Sequence, residues 1–405
     1  MNKRIILGQI VSSHIQQDRW PIFELAFRPF FLLGAFFSII SLVLWVGSVI
    51  GSVDINPYGG GYWWHIHEML FGFVAAIIVG FLLTAVQTWT QIPSIKNGAL
   101  AILVVLWATA RVVLLFPSSI PESLIVLIDL LFLPVACGFL AYPIIKVKMW
   151  RNLLFIPLLL AMMSCNAALH YAFLTAQEYE YLGPAADTMI MLVTLIIAVM
   201  GGRVFPMFTA NGTQTSRVAD IPWLEKLSMV LLIAAVLISA NTINLSDKVV
   251  AGIFIFTGLC HFIRAFRWRI WVTFKTPLVW SLHLSYWGLS LALILKGLAY
   301  INTGITHSIA THALTVGGIG TVILSMISRV SLGHTGRVLR VNWLIHGAFI
   351  LIILAALMRV IGPFIINSYQ TTLLLTTLFW VLAYGLFLIV YIPILSRPRV
   401  DGMRS

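Results

Sequence analysis

An all-α integral membrane protein, a polytopic bundle of about twelve transmembrane helices with both termini cytoplasmic, is the fold class predicted by three observations. Of 405 residues, 60% are hydrophobic and 9% charged, where a soluble domain carries roughly 25% charged residues. The apolar residues gather into runs that match the roughly 17–25 residues a helix needs to cross hydrocarbon. Lys and Arg, in turn, collect on alternate connections between those runs, the pattern that marks cytoplasmic loops.

The runs fall at 28–50, 63–89, 98–116, 121–145, 152–174, 184–204, 223–241, 249–265, 278–300, 306–328, 341–361 and 371–394. Lys3, Arg4, Arg19 and Arg28 precede the first, Lys96 follows the second, and Lys146, Lys148 and Arg151 follow the fourth. Arg264, Arg267, Arg269 and Lys275 follow the eighth, Arg329, Arg337 and Arg340 the tenth, and Arg397, Arg399 and Arg404 the last. The remaining connections are nearly free of positive charge, with Lys248 the main exception. This divides the chain into a cytoplasmic N-terminal segment, 1–27, one membrane domain, 28–394, and a cytoplasmic tail, 395–405, with no cleavable leader in the first twenty residues. The net charge of +12 thus reports orientation in lipid and not a nucleic-acid partner.

Polar groups inside the spans carry the functional signal, because an ionisable side chain at mid-membrane costs about 2.5–3.5 kcal/mol on insertion scales. His65, His67 and Glu68 open the second span, Arg111 lies nearly two turns inside the third, and Asp129 lies deep in the fourth. His170 is near the end of the fifth, Asp187 near the start of the sixth, and His307 and His312 begin the tenth. With the orientation above, all of these belong to the outer half of the membrane. His261, His283 and His346 belong to the inner half, so eight of the ten histidines fall into two intramembrane layers. Two layers of imidazole suit two redox centres, since imidazole binds iron and copper and histidines from facing helices hold haem.

Helical geometry restricts the ligand sets. At about 100° per residue His65 and His67 point about 200° apart and cannot reach one metal from an unbroken helix, and Glu68 points within about 60° of His65. His307 and His312 differ by about 140°. Arg111 is read as the partner of a haem propionate or of an internal carboxylate. Asp129 is a candidate for a proton path or for the partner of Arg111, Asp187 is a candidate for a proton path, and Glu122 and Arg359 are read as reaching toward headgroups.

Weaker features take structural readings. Gly317-Gly318-Ile319-Gly320 lies inside an apolar helix, where small residues admit a neighbouring helix or a flat macrocycle. Gly201-Gly202-Arg203 with Pro206 is read as a helix break, and Ser331–Arg337 as a basic, lipid-facing loop. Cys137, Cys165 and Cys260 are read as small core side chains.

Taken together, Phe27-Arg-Pro-Phe-Phe31, Trp64-His-Ile-His-Glu-Met69 with Gly72 and Phe73, Gly201-Gly-Arg-Val-Phe-Pro206 with Phe208, Thr209 and Asn211, and Thr311-His-Ala-Leu-Thr-Val-Gly-Gly318 form an ordered set. Met326, Arg329 and Ser331-Leu-Gly-His-Thr-Gly336 continue it. In this set the chain resembles the NnrS family, bacterial membrane proteins that carry haem and copper and are associated with defence against nitric oxide. The resemblance implies the bacterial inner membrane, haem, copper and a role in nitric oxide metabolism.

Joined to the histidine layers, it predicts a haem-copper or haem-plus-second-metal site in the outer half, built from His65, His67 and His312 with His170 and His307. Glu68 is the expected proton donor for reduction of NO to N2O, and an inner haem on His261, His283 or His346 the expected electron relay. No Cys-x-x-Cys-His motif occurs, so the haem expected is haem b, and the membrane quinol pool is the natural donor. The alternatives are binding of NO without turnover and, from another class, a secondary transporter. The connection Thr90–Lys96 lacks the acidic-basic motif of the major facilitator type.

Overall fold

The computed structural model describes residues 20–301 and 303–402; Lys3, Arg4, Arg19 and most of the N-terminal segment, together with Arg404, lie outside the described residues. Twelve helices among them are long and apolar enough to span a membrane, and no strand occurs among them. The helices are α1 (Phe27–Val49), α2 (Gly60–Thr90), α3 (Asn97–Leu115), α4 (Glu122–Lys146), α5 (Phe155–Leu174), α6 (Glu178–Thr213), α7 (Pro222–Ser239), α8 (Asp247–Arg267), α9 (Pro277–Ala299), α10 (His307–His334), α11 (Trp343–Ile365) and α12 (Tyr369–Leu395). The chain is a multi-pass membrane protein, as its composition predicts.

Burial ranks the helices. The apolar windows of α2 and α10 are each 83% buried, against 33% for α7 and α11, so α2 and α10 are the central staves and α7 and α11 present most of their surface to lipid. α2 packs against α1 and α4, and α10 against α9, α11 and α12. Apolar side chains facing lipid on the outer helices need no partner, because lipid tails are as apolar as they are.

The two central helices share a second property. Each contains a π-helical stretch, Glu68–Val74 in α2 and Ala313–Gly320 in α10, and each stretch begins immediately after a histidine, His67 and His312. Such widened turns loosen the carbonyl ladder and recur at functional sites. Neighbouring helices donate to carbonyls of both stretches: Trp107 Nε1 bonds Gly72 O at 2.9 Å, and Tyr384 Oη bonds Gly320 O at 2.9 Å. In hydrocarbon no water can satisfy these groups.

Glycine permits the close approaches. A Cβ on Gly72 would lie 2.5 Å from Glu68 Oε2 and 2.9 Å from Arg111 Nη1. The expected close helix contact of the Gly317–Gly320 stretch is present, since a Cβ on Gly318 would meet the Leu289 backbone at 3.1 Å.

Two expectations need correction. α6 runs unbroken through Gly201, Gly202 and Pro206 to Thr213; the glycines do not end a helix but make room for Tyr286 and the Arg264 guanidinium. The Ser331–Arg337 stretch is not free, because α10 continues to His334 and the C-terminal tail closes over it, with Arg399 Nη1 donating to His334 O at 3.1 Å and Val400 N to Thr335 O at 3.2 Å.

Gly72→Ala should therefore lower stability by about 1–3 kcal/mol, the usual cost of overpacking, while Gly98→Ala, whose Cβ meets nothing within 4 Å, should not destabilise. Thermal unfolding of the two variants in detergent measures the difference.

Candidate functional site

At one end of the bundle, α2 through α5 build a polar cluster inside the apolar core. Trp63, His67 and Phe71 follow one another at i, i+4 on α2, and His67 stacks on Trp63 with ring centroids 4.6 Å apart and planes 8° from parallel. Asn166 and His170 share one face of α5 by the same spacing. The fully buried His67 bonds at both ring nitrogens: Nδ1 lies 3.0 Å from Glu68 Oε1, and Nε2 lies 3.0 Å from Asp129 Oδ2 and 2.8 Å from Asn166 Oδ1. His170 Nε2 reaches the same Asp129 oxygen at 3.2 Å, with Nδ1 3.3 Å from the Tyr58 hydroxyl. Arg111 forks across the cluster, bonding Glu68 Oε2 at 2.9 Å through Nη1 and Asp129 Oδ1 through Nη2.

With His67 neutral, the charges of this cluster do not cancel. Two buried carboxylates face one guanidinium, which leaves one negative charge. Both nitrogens of His67 face oxygen acceptors, so the ring fits only with a proton on each or with a cation in place of one. His67, Asp129 and His170 offer ligand atoms all within 4.8 Å of one another, and two imidazole nitrogens with a carboxylate oxygen are a donor set suited to copper, zinc or iron. The residues present thus fit a metal ion.

His65 points away from this cluster, as the helical angle predicts. It stacks on Trp45 of α1 at 4.9 Å, and its buried Nδ1 has no hydrogen-bond partner. Glu68, expected beside His65, bonds His67 and Arg111 instead. His312 donates from Nδ1 to Ser308 O at 2.8 Å, which leaves the lone pair on Nε2. His312 and Arg359 meet at Ser308, the first on its carbonyl and the second on its hydroxyl. A neutral imidazole whose N–H is held by a carbonyl is the usual form of a haem or metal ligand. His307 is exposed and sits edge-on to Tyr300 at 4.8 Å; the fold does not bring it to this pair. Asp187 pairs with Lys296 at 2.9 Å and makes no hydrogen bond or ion pair with the cluster.

At the opposite end, His261 and His283 flank Tyr286. His261 Nδ1 lies 2.8 Å from the Tyr286 hydroxyl, which accepts from Arg264 Nη1 at 2.6 Å. Arg264 is in turn held by Glu225 at 2.6 Å. Thr209 donates its proton to Phe205 O at 2.9 Å and so accepts from His283 Nε2 at 2.7 Å. The lone pair of His283 then falls on Nδ1, which is buried with no partner, as is His261 Nε2. The open Nδ1 of His283 fits haem ligation too. His346, half-buried, turns its ring back to Asn342 O of its own helix at 3.2 Å.

Sequence reasoning overlooked Asn166, Tyr58, Glu225 and Tyr286. Asn166, a lone amide in an apolar run, carried a legible signal; Tyr286 carried none. Glu122 is exposed as expected, whereas Arg359, read as a headgroup anchor, is 4% exposed.

The fold and these clusters define a multi-pass helical membrane protein with imidazole and carboxylate centres at two depths. The family model described as NnrS protein matches residues 21–399, nearly the whole described chain, and the chain belongs to the NnrS family. Comparison with curated proteins gave no match.

Asp129 is the keystone of the first cluster, since His67, His170, Asn166 and Arg111 all bond it. Asp129→Asn should cost about 3–5 kcal/mol, the usual penalty for breaking a buried pair, while Glu122→Gln at the surface should stay within about 0.5 kcal/mol. Unfolding midpoints of the two purified variants check this.

Proposed function

We propose that the protein acts in nitric oxide metabolism as a haem- and copper-containing protein of the bacterial inner membrane, reducing two NO, with two protons and two electrons drawn from membrane quinol, to N2O and water. Family membership supports the nitric oxide role. The observation that carries the finer reading is the sorting of the imidazoles into an open pair, His65 and His312, beside a closed His67–Asp129–His170 cluster.

His65 and His312 are the residues that would hold a haem, His67, Asp129 and His170 those that would hold copper, and His261 with His283 those that would hold a second haem. Bound there, the metals supply Lewis acidity and electron transfer toward NO. The chain's own residues do the rest. Trp63 and Phe71 enclose His67 and exclude water, and NO, small and apolar, reaches the site sideways through lipid. Arg111 fixes both carboxylates and so keeps Glu68 in place beside His67. Glu68 exchanges the protons at Oε1, 3.0 Å from His67 Nδ1. The positive-inside pattern of Lys and Arg supports a place for this cluster in the outer half of the membrane.

One observation favours binding of NO without turnover: both Glu68 oxygens are already engaged, by His67 and Arg111. Glu68→Gln separates the two readings, because Gln keeps the size and hydrogen bonding but cannot cycle a proton. A reductase variant keeps its haem spectrum and NO binding but loses N2O formation by about 10²–10⁴, the usual contribution of a positioned acid. Unchanged N2O formation would remove Glu68 from the chemistry, and a wild type that binds NO yet forms no N2O with quinol would establish the binding role.

Ligand assignment has its own test. His65→Ala and His312→Ala should each lower the haem-to-protein ratio and spare copper, whereas His67→Ala and His170→Ala should lower copper, since losing a ligand removes metal affinity. Full cofactor content in all four variants would overturn the assignment.

A further inference from the structure

The buried arginines are not equivalent. Arg28 pairs with Glu24 at 3.0 Å, Arg264 with Glu225 at 2.6 Å, and Arg111 with Glu68 and Asp129. Two others have no carboxylate partner among the described residues. Arg359 on α11 is 4% exposed, its guanidinium lies 5.8 Å from the Tyr369 ring centre, and its one hydrogen bond runs from Nη2 to Ser308 Oγ at 3.3 Å. Arg329 on α10 is 6% exposed, lies over the Phe208 ring at 4.0 Å, and makes no hydrogen bond among the described residues.

A guanidinium carries five N–H donors and keeps its charge. Burying one without an anion is unfavourable, and a ring face offsets only part of that. Each of these cations therefore faces an acceptor that the described chain does not supply.

Their positions say which acceptor. Ser308 holds Arg359 through its hydroxyl and His312 through its carbonyl. Arg329 stacks on Phe208, the neighbour of the Thr209 that holds His283. Arg359 thus shares Ser308 with His312, and Arg329 lies on the aromatic cluster of Phe208, Phe205 and Tyr286 that borders His283. Arg111, the sequence candidate for a propionate, has both terminal nitrogens on carboxylates of the protein.

We infer that Arg359 and Arg329 are the anion-binding residues of the two histidine sites, each taking a propionate carboxylate of the haem at that site. The inference rests on the haem reading of those sites. A carboxylate supplies two acceptor oxygens in the plane of the guanidinium fork, and with it each buried cation gains its counter-ion. A phosphate from a lipid headgroup has similar chemistry, and the experiment separates the two.

The test is uptake of haem and of its dimethyl ester, which lacks the propionate charges, by full-length protein stripped of cofactor. Wild type should take up haem roughly 10–100-fold more tightly than the ester, the range expected for charge-assisted hydrogen bonds. Arg359→Gln and Arg329→Gln should each weaken haem binding at one site and leave ester binding unchanged, and Arg359→Lys should recover part of the preference. Equal losses for haem and ester would give these residues a structural role and overturn the inference. So would variants that keep the preference but lose co-purifying lipid phosphate. If a variant does not fold, the wild-type preference still decides: equal uptake of haem and ester defeats the inference alone, and uptake of neither defeats the haem reading beneath it.

Discussion

Every buried donor, acceptor and charge in a membrane bundle must find its partner inside the protein, because lipid offers none. This constraint organises the molecule. It assembles Arg111, Glu68, Asp129, His67, His170 and Asn166 into one cluster across four helices, and it draws Trp107 and Tyr384 to carbonyls of the π turns of α2 and α10. It also makes the exceptions informative. Open ring nitrogens on His65, His261 and His283, and guanidiniums without carboxylates at Arg359 and Arg329, are groups that the described chain leaves for something else to satisfy.

α2 is the partition between the two arrangements. Two residues apart on one helix, His67 turns to α4 and α5 and meets a closed set of partners, while His65 turns to Trp45 of α1. Glu68 stays with His67, and Gly72 leaves space for the Glu68–Arg111 pair. A chain of three residues thereby serves two neighbouring sites without mixing their ligands.

Much of this was legible in the sequence, for identifiable reasons. Span number and length follow from hydropathy alone, and the opposed directions of His65 and His67 follow from the helical angle. The internal partner of Arg111 was legible from its depth. The π turns were not, since a single inserted residue leaves hydropathy unchanged. The continuity of α6 through Gly201, Gly202 and Pro206 was hidden because glycine and proline weaken soluble helices, whereas a membrane helix tolerates them. Arg359 was misread because distance from a span end does not say whether a side chain faces lipid or protein. Tyr286 was invisible, as one aromatic among many.

The most direct measurement is the iron, copper and haem content of the wild-type protein purified without oxygen, with its absorption spectrum and with N2O followed after addition of NO and a quinol. The sorting of its histidines predicts a Soret band, bound iron and copper, and N2O formed from NO. A folded protein with no Soret band and no copper would contradict it.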